Sequence, residues 1–246
     1  MSTVRCALNR KEDQTSANAL FDLQRDFPED PQVLYMTSQV FLEIAERASQ
    51  ELAMSFPASY QARELQAETL ESQGNWAEAA IIYKKILEEQ PKLRGIHYRL
   101  GQAALSRRGP PTGTEDAKKE FEQELAIDPV NAAAEYWLGE LARRDGQWDE
   151  AISHFISAAN IDSNFKDALL ALGMTLISAG RFAEAVPQLE RYIKMSPDDP
   201  DGHYHLGIAF ARMHRKEDSV REMALREQLS DKREAAARAR ATAARQ

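Results

Sequence analysis

Two stretches more than a hundred residues apart, GNWAEAAIIYKKILEEQP at Gly74 to Pro91 and GRFAEAVPQLERYIKMSP at Gly180 to Pro197, carry one pattern. Glycine, an aromatic residue, alanine, a long apolar residue and proline fall at the same offsets. A catalytic motif has no reason to occur twice, whereas a structural unit does. Small residues recur at Ala67, Gly101, Gly139, Gly173 and Gly207 with steps of 34, 38, 34 and 34. Ala79, Ala117, Ala151, Ala185 and Ser219 step by 38, 34, 34 and 34, and Pro57, Pro91, Pro129, Ser163 and Pro197 by 34, 38, 34 and 34. The three series agree if one unit holds four extra residues between Gly101 and Ala117, where the chain reads SRRGPPTGT. Glycines and prolines there predict the longest inter-helix loop, at Gly109 to Thr114. A fixed period with one localised insertion is the signature of a stacked array whose units cannot bury their apolar faces alone.

The composition fits helices and little else. Glycine and proline total only 21 of 246 residues, and no cluster of β-branched residues reads as a strand. Gly101, Gly139, Gly173 and Gly207 fall mid-helix, where glycine costs about 1 kcal/mol against alanine, so close packing must require the missing side chain. Gly74, Gly146 and Gly180 stand just past a first helix, where a left-handed residue ends it, with His214 in the glycine's place in the last unit. Trp76, Trp148 and Phe182 are expected to fill the corner between the two helices of a unit, a position that Lys216 takes in the last one. Glu78, Asp116, Glu150, Glu184 and Asp218 fall in the first turn of each second helix and complement its dipole. Pro187 lies inside a second helix, where a kink is expected.

The period, YWLGELARRDGQWDEAISHF at Tyr136 to Phe155 and LGMTLISAGRFAEAV at Leu172 to Val186 resemble the tetratricopeptide repeat family over about residues 26 to 230. The resemblance implies an all-α fold, a right-handed superhelical solenoid of antiparallel helix pairs. The expected organisation is a partial repeat at 1–28, a degenerate compressed helix pair at 29–59, repeats at 60–93, 94–131 (with the insertion), 132–165 and 166–199, and a divergent repeat at 200–229. A charged alanine-rich capping helix follows at 230–246. No glycine or proline interrupts residues 32 to 56, so the compressed pair has the alternative of one helix bent near Glu43.

Several function classes are excluded by the residues. No phosphate-cradling GxxxxGK[ST], dinucleotide GxGxxG, GxSxG or HExxH motif is present, so no enzyme activity, cofactor or metal is expected. His97 and His203 hold equivalent positions in two units and read as packing residues. Net charge is −8, and residues 1 to 230 hold −11 because the last sixteen carry five basic and two acidic side chains, so nucleic acid is repelled. The single cysteine, Cys6, allows no internal disulfide. No apolar run is long enough to span a membrane or form a signal peptide, which as written places the chain in the cytoplasm. The alternative, should the N-terminus be truncated, is a periplasmic or secreted location.

The resemblance further implies that the first helix of each unit lines a concave groove for a peptide or protein partner. One stripe runs Glu64, Tyr98, Tyr136, Leu170, Tyr204, and a second runs Glu68, Gln102, Glu140, Met174, Ile208. Glu71, Arg143 and Arg144 lie farther round. An acidic start and an apolar remainder predict a partner with basic and apolar anchors; the alternative is that the tyrosines only pack on a neighbouring second helix. The family's Lys/Asn/Arg clamp for a terminal carboxylate is missing. The expected function is a non-catalytic scaffold or adaptor. The alternative is the interaction segment of a larger protein, either an enzyme with a helical-repeat domain or an exported envelope-assembly factor.

Overall fold

The computed structural model describes residues 13–106 and 112–243, all in helices or short turns, and divides into two compact units, residues 1–89 and 90–246. The first unit holds α1 (Asp13–Asp26), α2 (Pro31–Ser55), α3 (Tyr60–Ser72) and α4 (Trp76–Glu89). The second holds α5 (Ile96–Ser106), α6 (Thr112–Ile127), α7 (Ala132–Arg144), α8 (Trp148–Ile161), α9 (Lys166–Ser178), α10 (Phe182–Met195), α11 (Pro200–Arg212) and α12 (Lys216–Ala243).

In the first unit α1 packs on α2 through Leu20, Met36 and Val40. Ser16 and Leu20 of α1, both fully buried, sit at the offsets that Ala79 and Tyr83 take in α4. Residues 31 to 55, read as a compressed pair, form one uninterrupted helix of 25 residues. Its start is fixed by Pro31 at N1 and by Asp30, whose Oδ1 accepts from Gln32 N at 2.7 Å and Val33 N at 3.3 Å. With nothing inside to end it, the helix continues to Ser55.

In the second unit the helices pair as α5–α6, α7–α8, α9–α10 and α11–α12, and each second helix also packs on the next first helix. The glycine series has the expected reason. A Cβ on Gly101 would lie 2.5 Å from Phe121, on Gly139 2.7 Å from Phe155, on Gly173 2.5 Å from Leu189, and on Gly207 3.0 Å from Met223. One side chain per second helix, again 34 residues apart, therefore rests on the bare backbone of its partner. The main core lies between α8 and α11, where Phe155, Leu172, Leu189, Leu206 and Phe210 join one cluster.

A polar contact accompanies this packing at a second pair of offsets. His97 Nδ1 of α5 lies 2.6 Å from Glu120 Oε2 of α6, and His203 Nδ1 of α11 lies 2.8 Å from Glu222 Oε2 of α12. Between them α7 and α8 exchange the residue types, with His154 Nδ1 2.6 Å from Glu135 Oε2. Each histidine is thereby a packing residue with a carboxylate partner.

Further expectations are refined or corrected. Thr112 to Thr114, placed in the loop, already belong to α6; the rest of that loop, 109–111, lies outside the described residues. The earlier start is accommodated by Gly113, where a Cβ would come within 2.8 Å of the Ala104 carbonyl oxygen, and it moves Asp116 beyond the first turn, where Glu115 stands instead. Trp76, Trp148 and Phe182 stand at the corner but only partly buried, with Trp148 Cζ2 4.0 Å from where a Cβ on Gly146 would lie. They begin their helices half exposed, Trp148 at 37%, while fully buried Ala79, Ala151 and Ala185 permit the close approach. Finally, residues 230 to 243 are no separate capping helix: they extend α12, and 231–242 lie exposed, with Lys232 reaching Asp198 at 3.2 Å.

The turn glycines Gly74, Gly146 and Gly180 have φ of +78°, +74° and +77°, and His214 takes φ of +61° in their place. A side chain in this region costs about 1 kcal/mol or more. His214→Gly is therefore expected to stabilise the second unit by about 0.5–1 kcal/mol, the unfolded chain's added freedom offsetting part of the relief. Denaturant unfolding of the two proteins checks it.

Candidate functional site

The face formed by the first helices of the second unit is where most of the expected contact residues fall. Its helices are held by neighbouring second helices. Glu124 of α6, fully buried, accepts from Gly95 N at 2.7 Å and Tyr98 N at 3.2 Å and so fixes the start of α5. Asp199 caps α11 by accepting from Asp201 N at 3.1 Å, and its other oxygen accepts from the Tyr192 hydroxyl of α10 at 2.6 Å. These contacts set the registers in which Tyr98 and Tyr204 are presented.

The three tyrosines have different environments. Tyr98 is half-buried, its ring centroid 5.9 Å from that of Phe121, and its hydroxyl accepts from Gln102 Nε2 at 2.8 Å. Tyr136 lies among Trp137, Phe155 and Phe165, with centroid distances of 5.7, 5.8 and 5.1 Å. Burial, followed by the charges of Glu140 and Asp167, pushes its hydroxyl up to about 12. Tyr204 is 41% exposed, with His205 at 5.0 Å and the Arg226 guanidinium 5.8 Å from its ring. Burial holds the His205 imidazole below its ordinary value.

The charged and apolar positions sort as clearly. Glu140 accepts from Arg143 through both oxygens, from Nε at 3.1 Å and Nη2 at 2.7 Å, so this acid is neutralised by its neighbour one turn on. Arg144 donates to Thr114 Oγ1. Leu170, Met174 and Ile208 are half-buried and, with Ile177, give α9 and α11 an apolar strip. Asp167 and Asp201, exposed in the first turns of those helices, edge it. Glu64 and Glu68, both half-buried, belong to α3 of the first unit, and Glu71 is 8% exposed, a buried residue and no part of an open face. Sequence reasoning missed Ile177 and Arg226; the first lies one turn beyond Met174, and the second carries no signal because it comes from α12.

Among the described residues no group of three or more His, Cys, Asp or Glu is placed to hold a metal ion, and no helix is long and apolar enough to cross a membrane. What the fold defines is a helical-repeat protein built of antiparallel pairs with a 34-residue period. The chain belongs to the tetratricopeptide repeat family: models of that family match residues 42–93 and 112–164, and residues 142–206.

Solved structures of the same fold include YrrB, with a TM-score of 0.64 at 21% identity, covering 78% of this chain and 97% of that one. MamA gives 0.62 at 20% identity, covering 68% and 95%, and MamA of Desulfovibrio magneticus gives 0.62 at 15%, covering 70% and 96%. A curated relative, the probable biofilm formation methyltransferase WspC of Pseudomonas putida, is 30% identical over 89 residues, 36% of this chain. The matched part spans 21% of that methyltransferase.

Proposed function

We propose that the chain is a non-catalytic protein-interaction scaffold that holds an extended partner segment across the first helices of its second unit. Leu170, Met174, Tyr204 and Ile208 supply apolar contact, Tyr98, Gln102 and Tyr136 the packed floor, and Glu140 with Arg143 a polar rim. Glu64 and Glu68 would offer acidic contacts in the first unit. The observation that carries this reading is the half-open apolar strip of α9 and α11 beside exposed Asp167 and Asp201. That arrangement suits a segment pairing large apolar residues with Lys or Arg. YrrB is described as a tetratricopeptide protein with an unusual peptide-binding site, which supports a peptide as the ligand class.

The test is selection of displayed peptides on the purified full chain, followed by affinity measurement. Enriched peptides are expected to combine apolar and basic residues and bind with micromolar Kd, weakening with salt. The pair Met174→Glu and Ile208→Glu should reduce affinity at least about 30-fold with helical content unchanged. Peptides of acidic character, or binding indifferent to both substitutions, would overturn the assignment.

The match to part of a methyltransferase favours a second reading, in which this array is the interaction segment of a larger protein. The coding sequence on either side of the chain decides between the two.

A further inference from the structure

The long helix of the first unit has two apolar faces where a surface helix has one. Val33, Met36 and Val40 are buried against the unit, on one side of α2. At about 100° per residue, Leu34, Phe41, Leu42 and Tyr35 fall in an arc of about 120° on the opposite side. They are exposed by 46%, 37%, 62% and 68%. Phe21 of α1, 56% exposed, extends the arc with its ring tilted against that of Phe41 at a centroid distance of 5.7 Å, and Phe27, 55% exposed, lies in the turn between the helices.

We propose that this second face of α2 is a self-association surface that closes on the same face of another copy of the chain. Its area is of the right order. The four aromatic residues alone leave about 400 Å² open, about half of what each partner contributes to a standard interface. Such a patch already reaches the largest usually left on a monomer.

Charge selects the occupant. Residues 31 to 42, PQVLYMTSQVFL, contain no charged side chain, and the acids Glu43, Glu46 and Glu51 begin only beyond them. Two copies related by a two-fold axis can cross with the Leu34 and Tyr35 end of one helix over the Phe41 and Leu42 end of the other. Only uncharged halves then meet, although each chain carries −8 overall. Residues 31 to 42 offer a basic or acidic partner nothing to pair with, whereas an identical stretch finds matching apolar surface.

Sedimentation equilibrium of the full chain tests the proposal. The wild type is expected to form a reversible dimer with Kd of about 1–10 μM. Tyr35→Glu with Leu42→Glu should weaken it at least about 100-fold, while Ile156→Glu, at an exposed apolar residue of the second unit, should leave it unchanged. If circular dichroism shows that the glutamates disturb α2, Tyr35→Ser with Leu42→Ser gives the same reading with smaller expected weakening, about tenfold. A wild type that stays monomeric at about 100 μM overturns the proposal. So does a dimer indifferent to the substitutions. A monomer that dimerises only after removal of residues 1–12 overturns it too, because the chain's own N-terminal segment would then be the occupant.

Discussion

Gly139→Leu is expected to destabilise the second unit by about 2–4 kcal/mol and lower its melting temperature by about 5–15 °C. The first added carbon would sit 2.7 Å from Cε1 of Phe155, a fully buried ring that also contacts Tyr136. Phe155 is fully buried in the cluster that holds Leu172 and Leu189, so it has no open space to swing into. Two helices must separate, and that separation passes to α9, which packs on α8. The companion change Gly207→Ala should be near neutral. There the neighbouring atom is the terminal methyl of Met223, 3.0 Å away on a flexible side chain, and alanine's helix propensity offsets a small displacement. Thermal and denaturant unfolding of the two variants check both; equal effects would mean that the glycines do not serve ring contact.

Tyr136→Ala and Tyr204→Ala, identical changes at equivalent positions two units apart, are expected to act on different properties. Tyr136 fills the junction of α7, α8 and the turn before α9, and its removal should cost about 2–4 kcal/mol of stability. Tyr204 rests on open surface between His205 and Arg226, so its loss should change stability by less than about 1 kcal/mol. Peptide affinity should instead fall about tenfold or more at Tyr204, if this ring is an anchor of the partner segment. Unfolding and binding curves on both variants separate the roles. Equal destabilisation would make both rings core residues, and unaltered peptide affinity at Tyr204 would remove it from the proposed site.

Much of the molecule was legible before any coordinates. The glycine series announced close approach between the helices of a pair, and the turn glycines announced a left-handed residue, including the awkward His214. The expected contact residues were harder. Gln102 donates to Tyr98 and Arg143 to Glu140, so polar groups assigned to a partner already have partners within their own helix. Such i,i+3 and i,i+4 pairs can be listed from sequence, but whether they close depends on rotamers and on what lies beside them. Glu71 was misplaced for a related reason, since its burial comes from neighbouring packing and its own residue type argues for exposure.

By itself the sequence determined the period, the helix pairing, the four-residue insertion and the spacing of small residues. These are one-dimensional properties, because each unit of a stacked array packs chiefly on its neighbours and repeats their constraints at fixed offsets. Only the tertiary structure decided that residues 31 to 55 make a single helix with two apolar faces, and that α12 runs on to Ala243. It also decided that Tyr136 is packed while Tyr204 is open, and that His154 and Glu135 exchange the places held by Glu120 and His97. The physical reason is common to all four. A residue's exposure and partners are fixed by the side chains that neighbouring helices bring to it, and those depart from the repeat wherever the array begins, ends or substitutes one residue for another.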